Sequence, residues 1–379
     1  MIVRQTQSRY AAQRIGGAAL AVLALVILLL VLPNALSPFR LNLVGKYLCY
    51  ALVALGLDLA WGYAGLLSLG QSVYFGLGAY AFGMYLKMES AHGTLPDFMG
   101  WSGLDALPGY WRPFNDPVFA LAAAVLVPAG LAALFGYLMS RSRVSGVYFS
   151  IITQALAFIA TTLFIGQQPF TGGTNGLTNF GTIFGQPLKE AAVQTQLFRV
   201  TVVALALCLA VALWLARSRF GRLLVAMRDD EQRLRFSGYN PTLLKAAVFG
   251  ISGGMAGLAG ALFAPQVGIV NPDSLGIILG IQMVIWVAVG GRGTLIGALL
   301  GAVAVNATQS AVSESFPDLW QYAIGALFVA SVLIFPGGLV GALRSLPALG
   351  RKFAPPRPKP AQREHPGGTD PAPAELVQV

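Results

Sequence analysis

Charge is what this sequence has least of. Asp, Glu, Lys and Arg make up 11% of its 379 residues, against 56% hydrophobic residues, where soluble domains carry roughly 25% charged residues. A water-exposed globular fold is excluded. Cysteine and histidine are also scarce. Cys49 and Cys208 both lie inside apolar runs, which leaves no disulfide framework and no thiolate metal site. His92 and His365 lie far apart in the sequence, so no metal ligand set is expected from them. A membrane enzyme would need acid, base or nucleophile side chains in one cluster, and the acids here are scattered. No segment matches G-x-x-x-x-G-K-[ST]; "GGMAGLAG" and "GGRGTLIG" lack the lysine that grips phosphates, so no nucleotide cofactor is expected on this chain. The net charge of +10 comes without a basic helix or an aromatic stacking platform, which argues against nucleic acid as a partner.

What is abundant is apolar sequence in long runs, at 15–33, 41–61, 66–86, 117–139, 146–165, 199–216, 242–264, 276–290, 294–312 and 320–336. About 20 apolar residues cross a hydrocarbon core as a helix, which satisfies its backbone within the segment. The expected fold is an all-α integral membrane protein of about ten transmembrane helices, with membrane lipid around it. Arg4, Arg9 and Arg14 precede the first run as they would a secretory leader. That run is too long for a leader core and no small-x-small cleavage pattern follows it, so it reads as a membrane helix.

Ten spans put both termini on one side. With the termini cytoplasmic, 19 of the 25 Lys and Arg fall inside, in the N-terminal segment, at Arg141 and Arg143, from Arg217 to Lys245, at Arg292 and in the C-terminal tail. Glu89, Asp97, Asp105, Asp116, Glu190, Asp273, Glu314 and Asp318 fall outside. This is the distribution that membrane orientation produces. The chain then divides into a cytoplasmic segment 1–14, a transmembrane domain 15–345, and a Pro-rich cytoplasmic tail 346–379 expected to be disordered.

Many of the 45 glycines lie in or beside the apolar runs, where small residues let membrane helices approach closely. Gly62, Gly65 and Gly70, with Ser68 among them, also fit a broken helix or a re-entrant backbone lining a polar path. Tyr63, Ser68, Gln71, Gln154, Asn306 and Gln309 are the candidates for lining that path. Each fits helix-to-helix hydrogen bonding as well, and as a set they suit a polar, uncharged solute. Lys46 and Asp58 share the second run about 18 Å apart along a helix, too far to pair. Both are expected to reach for the membrane interface.

The charged stretch "RDDEQRLRFSGYNP" interrupts this pattern between the sixth and seventh runs. No Gly or Pro occurs from Arg222 to Phe236, Gly238 suits a helix C-terminus, and Asn240–Pro241 suits the start of the next helix. A helix over about 222–238 is expected, with Asp229–Arg233 and Glu231–Arg235 pairs four apart. Its Leu223, Leu224, Val225, Met227, Leu234 and Phe236 are more apolar surface than a simple connection needs, which suits docking into a partner's groove.

Five stretches, "WGYAGLLSLGQSVYFGLGAY", "TGGTNGLTNF", "FGRLLVAMRDDEQRLRFSGYNP", "GISGGMAGLAGALFAPQVGIVNPD" and "VAVGGRGTLIGALLGAVAVN", together resemble the LivM-like permease subunits of branched-chain amino acid and urea ATP-binding-cassette importers. The resemblance runs from about 41 to 344. It implies a bacterial cytoplasmic (inner) membrane location, two ATPase subunits that bind the ATP, a second homologous permease, and a periplasmic solute-binding protein. It makes the charged stretch a coupling helix, with Arg228, Asp229, Asp230, Glu231, Gly238 and Tyr239 as ATPase contacts. The TGGTNGL loop and the closing "SESFPDLWQYAIGALFVASVLIFPGGLVG" look closer to the urea branch, so urea is the expected solute and branched-chain amino acids the alternative. Gln71 stands where the resemblance implies histidine; an amide both donates and accepts hydrogen bonds, which suits a neutral solute. An ion-coupled carrier or channel is the competing class, and it would need functional charges within the membrane runs.

Overall fold

The chain folds where its apolar runs predict helices. The computed structural model describes residues 25–142, 144 and 146–315, with isolated positions at 322, 325, 326 and 338, all within one compact unit, Met1–Ala342. The main helices are α1 (Pro38–Asp58), α2 (Gln71–Ser90), α3 (Pro117–Arg141), α4 (Val147–Gly166), α5 (Ala191–Arg217), α6 (Arg219–Asp229), α7 (Glu231–Phe236), α8 (Pro241–Val267), α9 (Ile277–Gly290) and α10 (Leu295–Ser315). Six stretches among the described residues are long and apolar enough to cross a membrane: Pro38–Tyr63, Pro117–Arg141, Val147–Gly166, Ala191–Arg217, Pro241–Val267 and Leu295–Glu314. Helix α2 has the length but carries Gln71, Ser72, Lys87 and Glu89, and α9 has 14 residues, so neither joins the six. Of the first expected run only its end is described, as a π-helical turn, Ile27–Val31, leading into Leu32–Ala35. The tenth run, apart from Tyr322, Gly325 and Ala326, and both terminal segments lie outside the described residues.

Helix α8 is the hub, packed against α1, α2 and α3. The apolar windows of Pro38–Tyr63 and Pro241–Val267 are 83% and 72% buried, whereas those of α3, α4 and α5 are 28%, 22% and 28% buried. Two helices therefore form the interior and three present apolar faces outward, as a lipid environment requires. Glycine permits the closest crossing. A methyl group on Gly257 would collide with the Ala124 carbonyl of α3, and one on Gly78 of α2 would collide with the Gly257 carbonyl. Three backbones meet at that point. Aromatic rings fill the space beside it, with Tyr50 and Trp286 centroids 4.7 Å apart and Phe75 and Phe263 edge-to-face at 5.1 Å.

The third expected run, 66–86, starts late. After α1 a π-helical turn, Leu59–Tyr63, ends the helix, and Ala64–Gly70 is non-helical before α2 begins at Gln71. Ala64, Leu66, Ser68 and Gly70 are buried, Leu67 and Leu69 partly so and Gly65 exposed, so the backbone needs internal partners. Leu66 N–H bonds the Ala60 carbonyl, Leu69 N–H donates to Thr153 Oγ1 at 3.0 Å, and Ser150 Oγ donates to the Leu67 carbonyl at 2.8 Å. The broken backbone anticipated around Gly62–Gly70 is present.

At the α2 C-terminus two long connections are tied together. Lys87 pairs with Asp97 at 2.8 Å and donates to the Thr178 carbonyl at 2.8 Å, while Ser90 Oγ accepts from Gly181 N–H. Strands β1 (Leu177–Thr178) and β4 (Ile269–Val270) pair antiparallel, and β2 (Thr182–Ile183) pairs with β3 (Gln186–Pro187). Gly176 approaches the Val270 carbonyl too closely for any side chain and has φ +67. Lys87 is nearly buried, and its loss would strand polar partners. Lys87→Met is expected to destabilise the protein by about 1–3 kcal/mol, read as a lower melting midpoint in detergent, with no change if the tie is ornamental.

Candidate functional site

Two places carry polar chemistry: the α6–α7 segment and the interior around Ala64–Gly70. The first is built from capped short helices. Ser218 caps α6, and Asp230 caps α7 by accepting from Arg233 N–H at 3.0 Å. Asp230 is extended, so the single helix expected over 222–238 is broken there into α6 and α7. The Asp wins this contest because its carboxylate satisfies a free helix N–H that a continuous helix would not offer. The expected Asp229–Arg233 pair consequently does not form. Arg228 pairs with Asp229 at 3.1 Å, and Arg233 lies 3.6 Å from Asp230. Glu231–Arg235 forms as expected at 3.4 Å, and Glu231 also binds Lys245 of α8 at 2.7 Å. Gly238 has φ +86 and Asn240 caps α8 through Thr242 N–H, as its position predicts.

Of the apolar side chains expected to face a partner, Leu224, Met227 and Leu234 are buried inside this chain, and Leu223 and Val225 are half-buried. Phe236 is 91% exposed and Tyr239 50% exposed. The exposed tip is therefore Phe236 to Tyr239, flanked by Asp229, Asp230 and Arg233. Arg228 is exposed as well, and its Nη1 donates to the Gly62 carbonyl at 2.7 Å.

The interior group gathers Ser68 and Gln71, both fully buried, with Ser150 and Thr153 of α4 and Ser252 of α8. Gln71 Nε2 donates to Ser252 Oγ at 2.9 Å, and Ser72 Oγ donates to the Leu275 carbonyl. Gln71 Oε1 and Ser68 Oγ are buried without a partner among the described residues. Tyr63 sits half-buried at the end of the π turn. Asn306 bonds its own helix at the Ala302 carbonyl, and Gln309 is half-buried on α10, where neighbouring Ser310 bonds Tyr47. The structure thus buries Ser68 and Gln71 in the interior beside α4 and α8, and leaves Asn306 and Gln309 on α10. Asp58 was expected at an interface, yet it is fully buried and accepts Gly293 N–H at 2.7 Å. The turn after α9 reaches it, which sequence spacing does not reveal.

A cleft of about 520 Å³ lies beside this interior, lined by Tyr50, Phe158, Thr161, Phe263, residues 271–279 in part, and Gln282. Gln154 shares a face of α4 with Phe158 and Thr161, at spacings of four and seven. Its walls are aromatic and aliphatic, and Asn271, Asp273 and Ser274 form a polar end. Tyr50, Thr161, Asp273 and Gln282 were missed as candidates. Gln282 is an amide in an otherwise apolar helix, and that signal was available. A second interior group, Gln266 bonded to Thr201 and to Cys49, also went unread.

A family model described as branched-chain amino acid transport system / permease component matches residues 39–332. The chain belongs to this family. The permease is 28% identical over 347 residues to the high-affinity branched-chain amino acid transport system permease protein LivM of Salmonella typhimurium, covering 86% of this chain and 75% of the relative. BraD of Pseudomonas aeruginosa, of the same printed description, is 23% identical across 77% of the permease and 91% of its own length. The autoinducer 2 import system permease protein LsrC of Salmonella typhi is 31% identical across 61% of the permease and 65% of its own length. No solved structure matches. These relatives support the LivM-like reading and a multi-pass membrane protein; none of them carries the urea branch.

Proposed function

We propose that the permease is a transmembrane subunit of an ATP-binding-cassette importer for branched-chain amino acids in the bacterial cytoplasmic membrane. What carries this reading is membership of the family together with an exposed aromatic tip on a self-capped polar segment, a surface that a membrane connection does not need for its own stability. ATP is bound by two separate ATPase subunits that receive Phe236, Gly238 and Tyr239, with Asp229, Asp230, Glu231 and Arg233 beside them. A second, homologous permease completes the path, and a periplasmic solute-binding protein delivers the solute to the opposite end. Ten spans with both termini cytoplasmic accord with the Lys and Arg distribution.

The cleft favours an amphipathic solute over urea. Tyr50, Phe158, Phe263 and Leu279 offer an apolar wall suited to a branched side chain. Asp273 offers a carboxylate for an ammonium group, and the first turn of α9, which has no side-chain cap, offers free backbone N–H groups for a carboxylate. Urea needs hydrogen bonds alone and gains nothing from four hydrophobic side chains. Uptake of labelled leucine and labelled urea, measured in parallel in cells with and without the gene, tests this. Loss of leucine uptake alone supports the reading, loss of urea uptake alone replaces the solute, and no change in either removes both.

A further inference from the structure

The proposed importer must convey movement from the α6–α7 segment to the solute cleft, and two long-range polar contacts, joined by the end of α1 and continued by α9, connect them. The connection begins at Arg228, near the C-terminus of α6. The guanidinium holds the Gly62 carbonyl at 2.7 Å and Asp229 at 3.1 Å, and its aliphatic stem lies against one side of Gly65, where a Cβ would approach Arg228 Cγ within 2.9 Å. Gly62 belongs to the π-helical turn that ends α1. π-Helical turns are rare and are found frequently at functional sites.

The next link is Asp58, one turn back. Its side chain is fully buried, its Oδ1 accepts Gly293 N–H at 2.7 Å, and its Oδ2 has no partner among the described residues. A buried side chain with half its hydrogen-bonding capacity unmade is expensive to keep, and this one serves to join the end of α1 to the α9–α10 turn. Gly293 has φ +77 and lies in the turn joining α9 to α10. A side chain on Gly62 would strike both the Asp58 carboxylate and the Gly293 backbone, with Gly293 N only 2.6 Å from its Cβ. Arg292 caps the joint, its guanidinium 5.3 Å over the Trp61 ring. Helix α9 then runs from this turn to the cleft, which its first residues line.

We propose that Arg228 and Asp58 are positioning residues of a transmission joint, which converts displacement of the α6–α7 segment by the ATPase into movement of α9 against the solute cleft. The inference rests on the importer reading. Neither residue touches solute or nucleotide. Arg228 pulls on the base of α1, and Asp58 passes that pull to the α9–α10 turn.

The test uses the full complex of permease, ATPase subunits and binding protein in proteoliposomes, with ATP hydrolysis and labelled leucine uptake measured together. Asp58→Ala is expected to keep hydrolysis within about twofold while uptake per ATP falls at least tenfold. Asp58→Asn keeps an oxygen for Gly293 N–H and is expected to retain uptake to within about threefold. Arg228→Ala is expected to keep most of the ATPase bound, since Phe236 and Tyr239 remain and the Arg228 guanidinium is held by the Gly62 carbonyl, and to show the same uncoupling. The double variant is expected to be no worse than either single one, because both act in one chain of contacts. Hydrolysis and uptake falling in parallel with the amount of assembled complex would mean a merely structural role and overturn the joint, as would full coupling in Asp58→Ala. A wild-type complex that binds no ATPase, or moves no solute with ATP, would instead remove the importer reading and the joint with it.

Discussion

Phe236→Asp is expected to detach the ATPase subunits and abolish ATP-driven uptake while the permease keeps its fold. The ring is 91% exposed, so a charge there costs the isolated subunit little. In a complex it is the kind of aromatic anchor on which binding energy concentrates. Loss of such an anchor costs about 2 kcal/mol or more, roughly thirtyfold or more in affinity. Co-purification of the ATPase with tagged permease measures the loss, and the elution profile in detergent reports the fold. Charge reversal at Asp229 and Asp230 acts on the same surface with a second consequence: Asp230 also caps α7, so its replacement weakens the segment itself. If Phe236→Asp leaves both co-purification and uptake unchanged, this tip is not the docking surface.

The largest effect on stability is expected at Gly257. Its Cβ position collides with the Ala124 carbonyl and lies 2.8 Å from the Pro128 ring, and both belong to the helix most extensively packed on α8. A backbone carbonyl cannot rotate aside as a side chain can. Gly257→Leu therefore forces α3 and α8 apart and opens the Gly78 contact on the other side of the same carbon. A cost on the order of 4 kcal/mol or more is expected, beyond ordinary overpacking, seen as loss of monodisperse protein after extraction. Gly130 is the matched comparison. It sits in α3 with nothing within 4 Å of a built Cβ, so Gly130→Ala is expected to be neutral or slightly stabilising. Equal tolerance at both positions would show that close backbone approach does not decide this packing.

The helices were legible because membrane insertion needs one signal, a long apolar run, and the eight expected runs that fall within the described residues each contain a helix. Boundaries were read least well where polar residues take over the backbone. The 66–86 run starts at Gln71 because Ser150 and Thr153, far along the chain, supply the hydrogen bonds that Leu67 and Leu69 would otherwise make in a helix. The 199–216 run extends back to Ala191 because Gln194, Thr195 and Gln196 are compatible with helix yet invisible to hydropathy. The α6–α7 segment was legible as to place and caps. Its break at Asp230 was not, since an aspartate between two arginine-rich turns serves a continuous helix by charge pairs or a new helix by capping, and only packing of Leu224, Met227 and Leu234 selects the second. Burial of polar groups was partly legible: Ser68 and Gln71 are both buried in the interior, whereas the Asp58–Gly293 contact joins residues 235 positions apart, and no local pattern encodes it.

The non-helical backbone of Ala64–Gly70 has a bearing on how the protein is made. Its partners at Ser150 and Thr153 are synthesised some 80 residues later, and the Ser252 that holds Gln71 comes about 180 residues later. A nascent chain that has delivered only its first helices to the bilayer therefore holds bare carbonyl and amide groups that lipid cannot satisfy. The segment must wait in water, in the insertion machinery, or as a transient extension of its flanking helices, until α4 and then α8 arrive. Folding of the interior is thus gated by the later-made helices, and truncated chains ending before Pro241 lack the means to complete it.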